Sequence, residues 1–159
     1  MSSRVNHFKT IPALAKTLGE ASMTLGKASL DKKIKYLVDI RASQLNHCAF
    51  CLDMHVKEAK LHGERELRLY HVAIWRESPL FSAKEKAALA LTEALTRLGE
   101  QGVSEALYSE LREHFSEVEI SELTFSIALI NAWNRLQILS QMVPGALDSA
   151  YGLDRAELH

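Results

Sequence analysis

"DKKIKYLVDIRASQL", residues 31 to 45, is the stretch whose reading decides the fold. Ile34, Leu37, Val38, Arg41, Ala42 and Leu45 recur at i, i+3 and i+4, the spacing of one helix face, and Asp31 stands before them as an N-cap. The same grammar extends along the chain. "SAKE" (82–85) and "SEVE" (116–119) read as capping boxes ahead of apolar-periodic runs. Ser104 is a further N-cap, with Val103 placed to staple to Leu107 or Tyr108. Gly63 and Gly99 suit helix ends, and Pro79 parts "LRLYHVAIWRE" from the helix that begins near Ser82. No alternating Val/Ile/Thr run suggests a strand. The reading is all-α and one domain over 1–159, with about seven helices: 8–25, 31–45, 47–61, 64–77, 82–98, 104–114 and 116–140. The helical core is 8–140. The tail, 141–159, carries a weak last turn from Pro144 or docks on a neighbour.

Composition narrows the function. A net charge of −1 gives no field to gather nucleic acid or an anionic membrane surface. Runs such as "AALAL" and "IALI" are too short to span a bilayer. The N-terminal stretch lacks the sustained apolar segment of a signal peptide, and Lys16 interrupts what there is. The expected compartment is therefore the cytoplasm, where thiols stay reduced. A cysteine pair there points to catalysis or metal binding rather than a structural bridge.

The chain has two cysteines, both in "LNHCAFCLDMH", residues 45 to 55. Leu45 closes one amphipathic pattern and "CLDMHVKEAKLHG" opens the next. Asn46 suits the junction, since it tolerates a left-handed backbone and can also cap a helix. Cys48, Cys51 and His55 then share one helix face, with Cβ atoms roughly 5–6 Å apart. Such cysteines can close a disulfide, which needs Cα atoms roughly 4.4–6.8 Å apart. The bond would enclose almost no chain and add little stability. Redox chemistry instead needs a thiolate, and lowering a thiol pKa by about two units takes roughly 2.7 kcal/mol. A helix N-terminus supplies about 0.3–1 kcal/mol, mostly within its first turn. His55, one turn beyond Cys51, can supply more. The spacing reads as an activated thiol, a resolving thiol and a proton acceptor.

Other chemistries compete for the same residues. Zinc could take Cys48, Cys51 and His55 with His62 as a fourth ligand, although structural zinc sites draw a second ligand pair from elsewhere. Covalent haem wants the histidine next to the second cysteine, where Leu52 stands. Thioredoxin chemistry lives on a βαβ pattern that is absent here. Two buried cysteines acting as small hydrophobes is the bland alternative.

"RASQLNHCAFCLDMHVKEAKLHGE" (41–64) resembles the signature of the AhpD-like alkylhydroperoxidases within the carboxymuconolactone decarboxylase family. "YHVAIWRESPLFSAKEKAALALTEALT" (70–96) and "FSIALINAWNRLQI" (125–138) resemble further parts of the same group, so the likeness spans roughly residues 8–140. The resemblance implies an all-helical fold that assembles into trimers or hexamers. It implies thiol-dependent reduction of a hydroperoxide substrate without flavin, haem or metal, the reductant being a lipoyl group or another protein dithiol. Carried over, Cys51 is the attacking cysteine, Cys48 resolves it and His55 is the base.

One departure stands out. Such enzymes commonly carry a glutamate twelve residues before the first cysteine, coupled to the histidine as a proton relay; here that position is Tyr36. A phenol with pKa near 10 is neutral at pH 7 and cannot stabilise an imidazolium as a carboxylate does. Tyr36 is thus either a weaker relay or a packing residue. Glu93, among Leu89, Ala90 and Ala94, is the best substitute carboxylate, its competing role being an i, i+4 pair with Arg97. Asp39 and Glu58 are weaker choices, expected on solvated helix faces.

Further residues invite structural readings. His47 is expected to be a solvated turn residue, and His71 and Trp75 core or subunit contacts. Asn131, Asn134 and Arg135 lie in an apolar helix, so their buried amides must tie helices or subunits together. Arg41 interrupts its stripe and needs an acid or a carbonyl. Met23, Met54 and Met142 have no evident function. The leading expectation is a cytosolic, homo-oligomeric, cofactor-free thiol peroxidase or disulfide reductase. The alternatives are a decarboxylase or lactone-processing enzyme, which needs no dithiol, and a non-catalytic sensor that opens and closes a Cys48–Cys51 bond.

Overall fold

The computed structural model describes residues 4–158. Its helices are α1 (His7–Thr10), α2 (Pro12–Leu25), α3 (Lys32–Leu45), α4 (Ala49–Leu61), α5 (Glu66–His71), α6 (Ala83–Thr96), α7 (Glu105–His114), α8 (Glu117–Ser140) and α9 (Asp148–Tyr151). Short 3₁₀ turns follow at Val72–Ile74 and Leu153–Ala156, and no strand occurs among the described residues. The all-helical expectation holds, and no described helix is long and apolar enough to cross a membrane.

The caps fall where the sequence puts them. Asp31 accepts from the Lys33 amide, Ser104 from Leu107, and both capping boxes close at Ser82–Glu85 and Ser116–Glu119. The element count differs for local reasons. The expected helix 8–25 breaks at Ile11, whose φ of −141° and ψ of 66° reflect the exclusion of residues before proline from helical geometry. Pro12 then serves as the first residue of α2, where its missing N–H costs nothing. The segment 64–77 tightens after His71 into a 3₁₀ turn. α6 stops at Thr96, so Gly99 lies beyond the cap and does not end it.

Helix α3 packs against α4, α6 and α8. Ile34 and Val38 join Ala87, Leu91, Leu123 and Ile127 in one core, while Leu37 and Ile40 join Leu69, Val72, Trp75 and Leu89 in another. Each such side chain contributes roughly 1.5–3 kcal/mol on burial. With cores on both sides, α3 has little solvent face at mid-length, and that decides the fate of its polar residues. The tail docks within its own chain: Leu153 and Ala156 are buried, and the last 3₁₀ turn lies on α4. Lys57 of α4, also paired with Asp53 on its own helix (2.8 Å), holds it by an ion pair to Asp148 (2.6 Å).

Candidate active site

The α3–α4 junction is a Schellman motif whose last residue opens the next helix. The His47 amide donates to the Gln44 carbonyl and the Cys48 amide to the Ser43 carbonyl. The left-handed residue is His47, φ 57°, rather than Asn46, which stays right-handed. Asn46 is instead turned inward, donating its side-chain amide to Asn131 (3.0 Å) and Asn134 (2.8 Å) of α8. Cys48 is consequently the N-cap of α4, and Cys51 lies in its first turn. Both are free thiols buried among Ala42, Phe50 and Ile130.

The two thiols act on each other, and their acidities split. The neighbouring Cys51 brings Cys48 down to about 7 despite burial, helped by the nearby charge of His55 and the Asn134 amide. Cys51 moves the other way, first through its neighbour Cys48 and then through burial. Cys48 is the more acidic of the pair. Asn134, wholly buried, also donates to Ser43 Oγ at 3.1 Å, so one amide ties α8 to the junction and to the sulfurs. Sequence reasoning anticipated the tie and missed the sulfur contact. The available signal was a buried amide in an apolar helix, which must find partners.

His55 stands one turn beyond Cys51 on α4, nearly buried. Its Nδ1 lies 2.7 Å from Glu58 Oε2 and 3.8 Å from Asp39 Oδ2. Asp39 in turn meets Lys35 Nζ at 2.6 Å. Burial opposes charge on the imidazole, but Asp39 and the hydrogen bond to Glu58 outweigh it and hold His55 above its ordinary value. Burial likewise opposes charge on Glu58, and the imidazole keeps that carboxyl below its ordinary value. The expectation of a solvated face is wrong for Asp39, while Glu58 is half-buried. Asp39 is 2% exposed, because α4 covers this part of α3 and Lys35 neutralises it.

The two expected relay residues lie elsewhere. Tyr36 Oη is 3.1 Å from His62 Nδ1, which also meets the Glu58 carbonyl, so the phenol engages His62 and not His55. Glu93 faces away from the cysteines. It accepts from Arg41 (2.8 Å), Trp75 Nε1 (2.8 Å) and Arg76 (2.5 Å), and these, not Arg97, are its partners. Among the described residues no group of three His, Cys, Asp or Glu side chains is arranged to hold a metal ion.

A cavity of about 960 Å³ opens beside these groups. Cys51, His55, Asp39, Glu58 and Tyr36 are on its wall, with Phe50, Met54 and Trp133, and the tail closes it with Met142, Leu147 and Tyr151. Cys48 lies behind Cys51, outside the lining. The arrangement can present a sulfur, an imidazole paired with a carboxylate and an apolar chamber to one molecule.

Comparison with known proteins identifies the family and the fold. The profile of the carboxymuconolactone decarboxylase family matches residues 12–94. The uncharacterized protein YdfG of Bacillus subtilis is 38% identical over 87% of this chain and 94% of its own length. The uncharacterized protein YnjA of Escherichia coli is also 38% identical, over 66% of this chain and 57% of its own. A protein of unknown function from Agrobacterium tumefaciens, with a suggested role as the antioxidant defence protein AhpD, superposes with a TM-score of 0.87 at 34% identity, covering 91% of this chain and 99% of that one. The debrominase Bmp8 shares the fold, with a TM-score of 0.76 at 20% identity over 92% of this chain and 78% of its own.

Proposed function

Because this chain belongs to the carboxymuconolactone decarboxylase family, and an AhpD-type protein is among its near structural relatives, we propose that it is a cofactor-free thiol peroxidase. The observation that carries the reading is a cysteine pair at the start of α4, with Cys51 on the wall of an apolar cavity and His55, hydrogen-bonded to Glu58, one turn beyond it. His55, its Nδ1 engaged by Glu58, takes the proton of Cys51 on Nε2 and leaves a thiolate where substrate can reach it. That thiolate attacks the distal peroxide oxygen and the O–O bond breaks, giving a sulfenic acid and an alkoxide. His55 then returns that proton to the alkoxide, and the alcohol leaves. Cys48 then displaces hydroxide from the sulfenic acid, the hydroxide leaving as water, and the disulfide forms. An external dithiol, a lipoyl group or another protein's pair, reduces it by two exchanges and is itself oxidised. A homo-oligomer, trimer or hexamer, working in the reducing cytoplasm completes the proposal. The paired sulfurs favour this reading over decarboxylation, which has no use for a dithiol.

Stopped-flow peroxide reduction with a dithiol donor tests it. Cys51→Ser is expected to lose at least about 1,000-fold in rate, as removal of a nucleophile does. Cys48→Ser is expected to consume one equivalent and stall with a trappable sulfenic acid. Unchanged turnover in Cys51→Ser would overturn the assignment.

A further inference from the structure

Helix α8 carries "NAWNR", residues 131–135, and the proposed cycle leaves its Asn131, Asn134 and Arg135 unused. Asn131 and Asn134 are buried, Asn134 completely. Taking an amide out of water is costly, and apolar pairs would join two helices without that cost. What sets these amides apart is that they all point one way.

The direction starts from a backbone carbonyl. Asn131 Nδ2 donates to the Ile127 carbonyl (2.9 Å) and to Thr96 Oγ1 (3.0 Å). A carbonyl can only accept, so it fixes which end of the Asn131 amide is nitrogen. The Asn131 oxygen is left to accept, and it does so from Arg135 Nη1 and Asn46 Nδ2, both at 3.0 Å. Asn46 Nδ2 also donates to Asn134 Oδ1 at 2.8 Å. That turns the Asn134 nitrogen toward the α3–α4 junction, where it donates to Ser43 Oγ at 3.1 Å. An amide nitrogen has a second N–H to give. The Asn134 amide also acts on both cysteines, and favours the charged form of each sulfur.

Cys48 is where such a donor is needed. It lies behind Cys51, outside the cavity lining. His55 is about two turns further along α4 and acts on it through its charge. A resolving thiolate so placed depends on a donor from another helix.

We propose that Asn134 serves the thiol site as well as the fold: aimed by Asn131 and Asn46, its amide holds the negative charge of Cys48 until that sulfur resolves Cys51. That Cys48 resolves Cys51 rests on the thiol chemistry proposed above; the donation to its sulfur does not.

The Cys51→Ser protein leaves Cys48 as the sole thiol, and its ultraviolet thiolate absorbance gives a titration without peroxide. Asn134→Leu keeps the size and removes the donor. In that background it should raise the midpoint by about one pH unit, which is about tenfold less thiolate at a given pH. Asn46→Ser, which releases the Asn134 oxygen, should raise it by less. Ser43→Ala loosens the same junction but leaves the donor, and should not raise it. His55, Asp39 and, through Asn131, Arg135 are the charged groups around the pair, and they stay the same in every variant. With Asn134 itself unsubstituted, its side-chain amide protons should shift in NMR at the midpoint of the thiol. An amide resonance flat through the thiol titration overturns the proposal. So does a folded Asn134→Leu protein with an unmoved midpoint, or a Ser43→Ala rise as large as that of Asn134→Leu. Peroxide turnover by the unsubstituted protein, measured alongside, judges the thiol chemistry alone.

Discussion

Two carboxylate clusters flank α3, and they are built to opposite ends. Asp39 and Arg41 are two residues apart on that helix, so they leave it on opposite faces. On the Arg41 side, one carboxylate, Glu93, receives two guanidinium groups and an indole N–H. Positive partners outnumber it, and burial notwithstanding, these donors hold its carboxyl below the ordinary range. On the Asp39 side, two carboxylates face one imidazole and one lysine, and this cluster opens on the cavity. Surplus donors lock a charge; surplus acceptors keep a proton available. The first arrangement ties α6 to α3 and to the turn after α5; the second borders the cavity.

The sharpest way to break this contrast is to remove Glu93. Glu93→Ala leaves Arg41 half-buried without its acid, and breaking a buried pair this way costs about 3 kcal/mol. Denaturant unfolding should read that loss, whereas the peroxidase rate of the folded fraction should stay within about twofold. A large rate loss with little change in stability would make Glu93 a participant in the chemistry and erase the difference between the clusters.

Asp39→Asn probes the other side. The variant keeps the shape and withdraws a charge that helps hold the proton on His55. The rate is expected to fall about tenfold, roughly 1.4 kcal/mol of barrier, with the NMR titration midpoint of His55 moving down. Asp39→Glu should recover part of both. The pH dependence of stability carries the same signature. Because His55 is raised in the folded protein, its contribution is complete below its ordinary 6.5 and is lost as pH rises through the folded value. Glu58 is lowered, so its contribution is present above 4.5 and is lost as pH falls through its folded value. The cluster should stabilise the protein most between those two limits. A stability profile flat through both limits would argue that the charges are not coupled.

The helices were legible because their signals are local: Asp31, Ser82, Ser104 and Ser116 cap where they stand. The placing of Cys51 and His55 was legible for the same reason, since residues four apart on a helix must be neighbours, whereas Cys48, expected inside a helix 47–61, precedes α4 as its extended N-cap. What the spacing hid was partnership between helices. Whether Asp39 meets water or an imidazole depends on where α4 crosses α3, and no pattern within "KYLVDIR" encodes that crossing. Glu93 looked like an acid stranded among leucines because its partners lie 52 and 18 residues away, on α3 and in the turn after α5. The ordering of the two thiols was hidden too: Cys48, at the N-cap, is the more acidic, where helix-dipole reasoning spoke only for the first cysteine and histidine proximity only for the second.

The smallest expected effect sharpens the comparison most finely, because it concerns the position where AhpD-like sequences commonly carry glutamate. Tyr36 meets His62 at a half-exposed site, and Tyr36→Phe should change the rate by less than about twofold, as surface substitutions do. Burial and then the neighbouring Glu58 charge hold the phenol proton above its ordinary range, which suits a bystander better than a relay. If Glu58 has taken over the work of the missing glutamate, Tyr36→Glu alone should gain nothing. In a Glu58→Gln background the same substitution should restore much of the lost rate, a coupling that a double-mutant cycle reads directly. A gain from Tyr36→Glu with Glu58 intact, or a tenfold loss in Tyr36→Phe, would put the proton path through α3 and leave Glu58 as packing.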